Sequence, residues 1–286
     1  MAVFEINDLK YSYKKNPNPV IKGIHFSIQK GEIFGLLGPS GAGKSTTQKI
    51  LTKLLPEYEG SITFQGKELK SYGADFYERI GVGFELPVHF NKLTGLENMQ
   101  FFQNLYQTKA PIEPLLEKVG LLEDKDKLVG EYSKGMKMRL NFVRALLNEP
   151  EFLFLDEVTN GLDPKNARII KDMIAAFRAD GGTVLLTTHL MGDVEALCDR
   201  VAFIKAGEII ESNTPKELKI KYGERVVDVE YVKDKTVQKE QFDLTGIGEN
   251  EAFVDLIKTH EIRTIHSGET TLEDIFIQIT GDAYVE

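Results

Sequence analysis

Hydrophobic positions alternate near the N-terminus, run unbroken in short stretches further on, and fall at helical spacing in between. Residues 3–13 and 20–28 alternate. In the second run Ile24, Phe26 and Ile28 point one way and His25 and Ser27 the other, which predicts a half-buried antiparallel pair with His25 facing solvent. Asn16-Pro17-Asn18-Pro19 between them reads as a turn, because neither proline can donate to a ladder. Residues 33–37 and 152–155 are apolar almost throughout, and 183–188 carry an apolar centre between threonines, the form of strands covered on both faces in a parallel sheet. Residues 61–70 read as a strand and turn, 80–84 as a strand, and 200–205 with 208–212 as a closing strand pair.

From Thr94 to about Leu147 the period becomes helical, with Leu96, Met99, Phe102 and Leu105 or Tyr106 on one face, and a further helix expected over residues 137–147. The tail has its own rhythm. Val227, Val229 and Tyr231 alternate, Phe253, Leu256 and Ile257 form a helical stripe, and Leu272, Ile275, Phe276 and Ile279 repeat at i, i+3, i+4 and i+7. These periods predict an α/β domain over residues 1–217, a helical insertion at about 90–150, and a small α+β extension over 218–286.

Chemistry concentrates where the apolar runs end. After residues 33–37 comes Gly38-Pro39-Ser40-Gly41-Ala42-Gly43-Lys44-Ser45-Thr46, a full G-x-x-x-x-G-K-S. Glycines here let successive N–H groups turn inward toward phosphate oxygens, and the helix that follows adds its positive end. Lys44 can reach the β- and γ-phosphates, Ser45 is placed to ligate Mg²⁺, and Thr46 offers a second hydroxyl. The run 152–155 ends in Asp156 and Glu157, at the carboxyl end where open α/β sheets place ligands. Asp156 can hold Mg²⁺ while Glu157 can polarise the attacking water. The run 183–188 ends in His189, which can contact a γ-phosphate and orient Glu157 or serve as an ordinary structural histidine. Tyr11 and Tyr13, on the strand leading toward the loop, can stack on a nucleobase or pack. Ser133 and Gly135, in Tyr132-Ser133-Lys134-Gly135-Met136, can cap a helix or hold an anion at its start.

Composition narrows the setting. The 286 residues carry a formal charge of −9 with no basic cluster, which argues against a nucleic-acid surface. One cysteine, Cys198, excludes an internal disulfide framework and fits a reducing cytosol. No apolar run approaches the roughly 20 residues that span a bilayer. The chain is expected to be soluble on its own.

Taken together, the phosphate loop, the Tyr132–Met136 pentad, the acid pair and the histidine resemble the nucleotide-binding subunit of an ATP-binding cassette (ABC) transporter, in family order and spacing over residues 1 to about 217. The resemblance implies a P-loop NTPase (RecA-like) core with an antiparallel β subdomain and a helical subdomain, binding ATP and Mg²⁺. It implies that Tyr13 stacks on adenine, that Lys44, Ser45 and Thr46 contact phosphate and metal, and that Asp156 stands on the metal side. By the same likeness Glu157 is the catalytic base, Asp163 the aspartate of Asn160-Gly161-Leu162-Asp163, and His189 the switch histidine. Ser133 and Gly135 then close on the γ-phosphate held by the opposite subunit. Tyr-Ser-Lys-Gly-Met followed by Lys137 and Arg139 is similar to the variant common in type-2 exporters, and the extension, ending in Thr271-Leu272-Glu273-Asp274-Ile275-Phe276, loosely resembles theirs.

One position departs from the pattern. In Ile80-Gly81-Val82-Gly83-Phe84-Glu85 the family normally has glutamine where this chain has Glu85, a variant similar to that of some exporters that protect bacteria against antimicrobial peptides. The resemblance implies two tasks for that loop: touching Mg²⁺ and the attacking water, and coupling to the membrane subunit. The expected protein is a cytoplasmic ATPase, peripheral on the inner face of the cell membrane, that forms a homodimer or heterodimer around ATP and powers a separately encoded transmembrane permease. Two rivals remain at this stage: a soluble ABC-type ATPase acting on ribosomes or DNA, disfavoured by the single cassette and the lack of a basic arm, and a non-hydrolysing ATP-dependent regulator.

Overall fold

The structure is a computed structural model and describes residues 1–14, 18–86, 88–223, 225–268 and 270–281. It divides into two compact units, Met1–Pro215 and Lys216–Glu286. In the first unit two sheets share one core. Strands β1 (Ala2–Tyr11), β2 (Ile21–Gln29), β4 (Glu59–Phe64) and β5 (Lys67–Glu68) form an antiparallel sheet in the order β2-β1-β4-β5. As the alternation predicts, Ile24 and Ile28 are buried, and His25 is exposed, with Nδ1 accepting from the Asp8 amide at 3.1 Å. Of the expected turn before β2, Asn16 and Pro17 lie outside the described residues.

The second sheet runs β10-β9-β3-β8-β7-β6. Here β3 (Ile33–Leu37), β6 (Ile80–Gly83), β7 (Phe152–Asp156), β8 (Thr183–Thr187) and β9 (Arg200–Lys205) are parallel, and β10 (Glu208–Asn213) is antiparallel at the edge. Every residue of β3 and β8 is buried, which is why these strands read as apolar runs. Phe4 of β1 meets Phe152 and Phe154 of β7 with ring centroids 4.9 and 5.7 Å apart, so the two sheets pack face to face through aromatic side chains. Burying each such ring contributes about 1.5–3 kcal/mol. Helices α1 (Lys44–Leu51), α2 (Asp75–Arg79), α6 (Pro164–Ala179) and α7 (Met191–Leu197) connect the strands.

The helical insertion has its own core of Met99, Leu116, Val119, Leu121, Val129, Tyr132, Leu140, Val143 and Leu147. Its helices are α3 (Gly95–Gln103), α4 (Ile112–Lys118) and α5 (Lys134–Arg144). The expected face holds at Met99, which is buried, but α3 stops at Gln103 and leaves Leu105 68% exposed, so Tyr106 is the half-buried member. Helix α5 starts three residues earlier than the pattern suggests. Ser133 is its N-cap, accepting from the Met136 amide at 3.2 Å, so the pentad belongs to the helix start.

The second unit begins in α8 (Pro215–Tyr222) and contains a sheet of order β12-β11-β13, from β11 (Val226–Lys233), β12 (Thr236–Asp243) and β13 (Glu261–Gly268). Val227, Val229, Tyr231 and Phe242 pack with Leu256 of α9 (Glu251–Thr259). Strand β12 escapes a reading by alternation, since Phe242 is its only buried residue. In α10 (Leu272–Thr280) the stripe Leu272, Ile275 and Phe276 is buried, behind a capping box of Thr271 and Asp274. Among the described residues no helix is long and apolar enough to cross a membrane.

Candidate nucleotide site

Residues 38–43 form the loop between β3 and α1, and the glycines there answer to measurable constraints. A Cβ on Gly38 would lie 2.1 Å from the Ile204 carbonyl oxygen, and Gly43, at φ 115, would press one against Ile21 Cδ1 at 2.6 Å. Lys44 folds back over the loop, its Nζ donating to the carbonyls of Gly38 at 2.6 Å and Pro39 at 3.2 Å. Burial pushes the Lys44 ammonium below its ordinary pKa, while Glu157, Asp156 and Glu85 pull it back up. All three carboxylates therefore lie within electrostatic reach of one cation, which is how the structure brings the two acid-bearing loops to the phosphate loop. Ser45 is exposed in the first turn of α1. Thr46 is buried, with Oγ1 3.2 Å from the Tyr13 hydroxyl. Tyr13 stands edge-on to Tyr11 at 5.0 Å, and both line a cleft of about 470 Å³ with Leu55, Pro56, Lys14 and Glu57.

At the carboxyl ends of β7 and β8 the acid pair is held from one side. The Thr187 hydroxyl lies against the Asp156 carboxylate and 3.2 Å from Gln48 Oε1. Glu157 adopts φ 51, a left-handed conformation uncommon outside glycine, and its amide donates to the Thr187 carbonyl at 2.9 Å. Glu157 is 7% exposed, and its carboxylate accepts from the Thr188 hydroxyl at 3.2 Å and from His189 Nδ1 at 2.9 Å. A buried carboxylate fixed by two donors has a set direction, the arrangement needed to align a water for attack.

Ser133, Gly135 and Asp163 gather elsewhere. Asp163 caps α6, accepting from the Lys165 and Asn166 amides at 3.1 Å, and the Asn166 contacts hold its carboxyl below the usual range. A Cβ on Gly135 would meet Leu162 and Asn166, so the α5 start lies beside the α6 start. Among the described residues no hydrogen bond or ion pair joins these three to residues 38–46.

Several participants were not singled out by sequence reasoning. Thr187, Thr188 and Gln48 orient the acids. Asn141 of α5 donates to the Phe84 carbonyl at 2.7 Å, Arg144 donates to the Val88 carbonyl at 2.9 Å, and His89 Nε2 lies 3.1 Å from the Lys137 carbonyl, so α5 grips the segment that carries Glu85. Threonine next to His189 and a buried asparagine in an apolar stripe were the available signals. A larger cavity, about 1120 Å³, opens at the amino ends of β7 and β8, between Val3, Leu115, Leu146, Met173 and Phe177. It carries none of the phosphate-loop or acid residues, so it lies apart from the candidate nucleotide site.

Residues 21–160 match the ABC transporter family, and residues 225–269 match the fluoroquinolone efflux ABC transporter C-terminal domain. A fluoroquinolones export ATP-binding protein of Mycobacterium tuberculosis is 50% identical over 98% of this chain and 93% of its own length. A linearmycin resistance ATP-binding protein of Bacillus subtilis is 34% identical over 97% of this chain and 84% of its own. Among solved structures, an ATP-binding subunit of an ABC transporter superposes with a TM-score of 0.71 at 27% identity, covering 77% of this chain and 93% of that one. Identity at that level along nearly the full chain, with the phosphate loop and the acid pair folded together as described, places this protein in the ABC transporter family as an ATP-binding, ATP-hydrolysing subunit.

Proposed function

We propose that this subunit hydrolyses ATP at a site shared between two copies and thereby drives a separately encoded membrane exporter. The observation that carries the reading is the pinned Glu157 carboxylate, buried, bonded to Thr188 and His189, and within electrostatic reach of Lys44. In this reading residues 38–46 cradle the phosphates, with Gly38, Pro39, Ser40, Gly41, Ala42 and Gly43 supplying backbone N–H groups and Lys44 the positive charge. Tyr13 carries the adenine, and Glu157 accepts the proton of the attacking water while His189 keeps its carboxylate aimed. Ser133, Gly135 and Asp163 face the second copy, which fits their position together at the starts of α5 and α6 and away from their own phosphate loop. The working unit is a dimer, with residues 1–217 as the ATPase domain and 218–286 as a supporting extension.

The donor set suits Mg²⁺. Ser45, Asp156 and Glu85 offer hard oxygens, and among the described residues no preformed group of three His, Cys, Asp or Glu ligands exists. Such a site suits an ion that keeps waters and takes its remaining oxygens from the triphosphate. When bound, Mg²⁺ neutralises charge on the β- and γ-phosphate oxygens.

A membrane partner is supported by the apolar surface around Glu85. Leu86 and Val88 are each 75% exposed, and Phe84, Phe90 and Phe101 are exposed beside them. We place the protein on the cytoplasmic face of the membrane on this ground. Its 50% identical relative and the match of its extension make a fluoroquinolone-like drug the substrate class we assign to the assembled exporter. The deciding experiment measures phosphate release by the purified chain and its co-purification with membrane vesicles against ribosomes. Mg²⁺-dependent release with vesicle association is expected. Association with ribosomes would make it a soluble ATPase of this family, and ATP binding without release would make it a regulator.

Glu85 gives a finer test. A carboxylate there holds Mg²⁺ more firmly than an amide but repels the γ-phosphate, and these effects oppose each other. Glu85 is exposed, so solvent weakens both. Glu85→Gln is expected to change basal turnover by less than roughly tenfold, well short of the 10² to 10⁴ worth of a general base. It should raise the Mg²⁺ requirement, which a Mg²⁺ titration of hydrolysis reads directly.

A further inference from the structure

Asp193 lies in the first turn of α7, four residues beyond His189, and is 8% exposed. A carboxylate that deep is costly unless both oxygens are used. Here they are. Oδ1 accepts from Lys171 Nζ at 2.9 Å and Oδ2 from the hydroxyl of Thr159, itself 5% exposed. Thr159 sits in the turn that leads from Glu157 to Asp163, closed by Asn160 N to Glu157 O at 3.0 Å and Leu162 N to Thr159 O at 3.2 Å. Lys171 lies on α6, the helix that Asp163 caps. One side chain thus holds the turn after Glu157, the body of the helix beyond it, and the helix that follows His189.

From this geometry we propose that Asp193 is a positioning residue that locks the Glu157–Asp163 turn to the His189 helix, so that both ends of the acid-bearing segment move together. The inference rests on the reading of Glu157 and His189 given above. Near the strands the two segments already meet through Glu157, whose amide and carboxylate contact Thr187, Thr188 and His189. Attachment at one end alone is a hinge, about which the segment can swing and tilt the Glu157 carboxylate. The contact of Asp193 with Thr159 adds a second point two residues along and removes that rotation, and the Lys171 pair extends the hold to α6. The same lock joins His189 to Asp163, which by its exposure at the α6 start faces outward. A change at the outward face is thereby felt at Glu157 without any movement of the phosphate loop.

An ordinary stabilising ion pair would give a different signature, since its loss lowers stability and ATP affinity together. Thr159→Val is close in shape and removes only the hydroxyl. It is expected to lower kcat about five- to tenfold, the effect of losing one hydrogen bond of ordinary strength, and to lower the melting temperature modestly because the buried Asp193 Oδ2 loses its donor, with ATP affinity nearly unchanged. Thr159→Ser should restore the rate. Asp193→Ala should lower kcat at least as far. The decisive measurement is the double mutant with His189→Ala: once His189 no longer aims Glu157, removing the lock should cost clearly less than it does in the wild type. Multiplicative losses in the double mutant, failure of serine to restore the rate, or a rise in KM at constant kcat would overturn the proposal. Full activity of His189→Ala or of Glu157→Gln would instead overturn the reading of the site beneath it, and the lock with it.

Discussion

Lys44→Ala is expected to abolish turnover and to weaken ATP binding by at least a few kcal/mol, the scale of a charge-assisted contact with phosphate. Two effects combine in that loss. The first is the missing positive charge, the one cation of residues 38–46. It lies within electrostatic reach of Asp156, Glu157 and Glu85, so its removal takes away the protein's own cation among three carboxylates and a triphosphate. The second is the loop itself. Lys44 bonds the carbonyls of Gly38 and Pro39, holding the loop in shape before any nucleotide arrives, so alanine also releases a restraint on a segment of high glycine content. An arginine at this position should not rescue binding, because its planar fork cannot occupy the place of a compact ammonium over two converging carbonyls. The measurement is a titration with a fluorescent ATP analogue together with a phosphate-release assay. Unchanged ATP affinity in a folded Lys44→Ala protein would refute the role of residues 38–46 as a cradle.

What could be read from the sequence and what could not separate along a physical line. The phosphate loop, β7 and β8 were legible because each is a contiguous run whose residue types state their surroundings: glycines where a Cβ would strike Ile204 or Ile21, apolar residues on both faces at the centre of each strand where the sheet is covered. In the insertion α3 was legible as a period and α5 as a run of helix formers, but neither in its limits, and α4 was not read as a separate helix. Helix α3 ends at Gln103 although Leu105 continues the stripe, and Ser133 starts α5 before the expected residue. The contacts that orient the acids were beyond reach, because they join residues far apart in the chain. Thr187 meets Gln48 across 139 positions, and Asn141 reaches the Phe84 carbonyl across 57. The left-handed backbone at Glu157 has no sequence marker either, since glutamate is not the residue that favours it. Strand β12 shows the converse, a real strand almost without buried side chains and so without an apolar rhythm.

Replacing Glu157 by Gln is expected to lower turnover by roughly 10² to 10⁴, the worth of a positioned general base, while ATP binding survives. The substitution is conservative in every respect but one. Glutamine keeps the length of the side chain, and its carbonyl oxygen can still accept from Thr188 or His189, so the left-handed backbone at this position and its amide bond to Thr187 are undisturbed. What it loses is the capacity to take a proton from water. The metal-side oxygens at Asp156 and Ser45 remain, as does Lys44, so the triphosphate should bind as before. A bound but unspent nucleotide holds the closed state, and the variant should accumulate as an ATP-bound dimer, whereas the wild type returns to monomer as ATP is consumed. Size exclusion with ATP and Mg²⁺, run beside the phosphate-release assay, reads both consequences at once. His189→Ala should fall between the two proteins in rate, since it frees the Glu157 carboxylate from one of its two donors without removing it. If Glu157→Gln instead hydrolyses ATP at the wild-type rate and stays monomeric, another group takes the proton, and Glu85 and Asp156, the two remaining carboxylates within reach of Lys44, become the residues to test next.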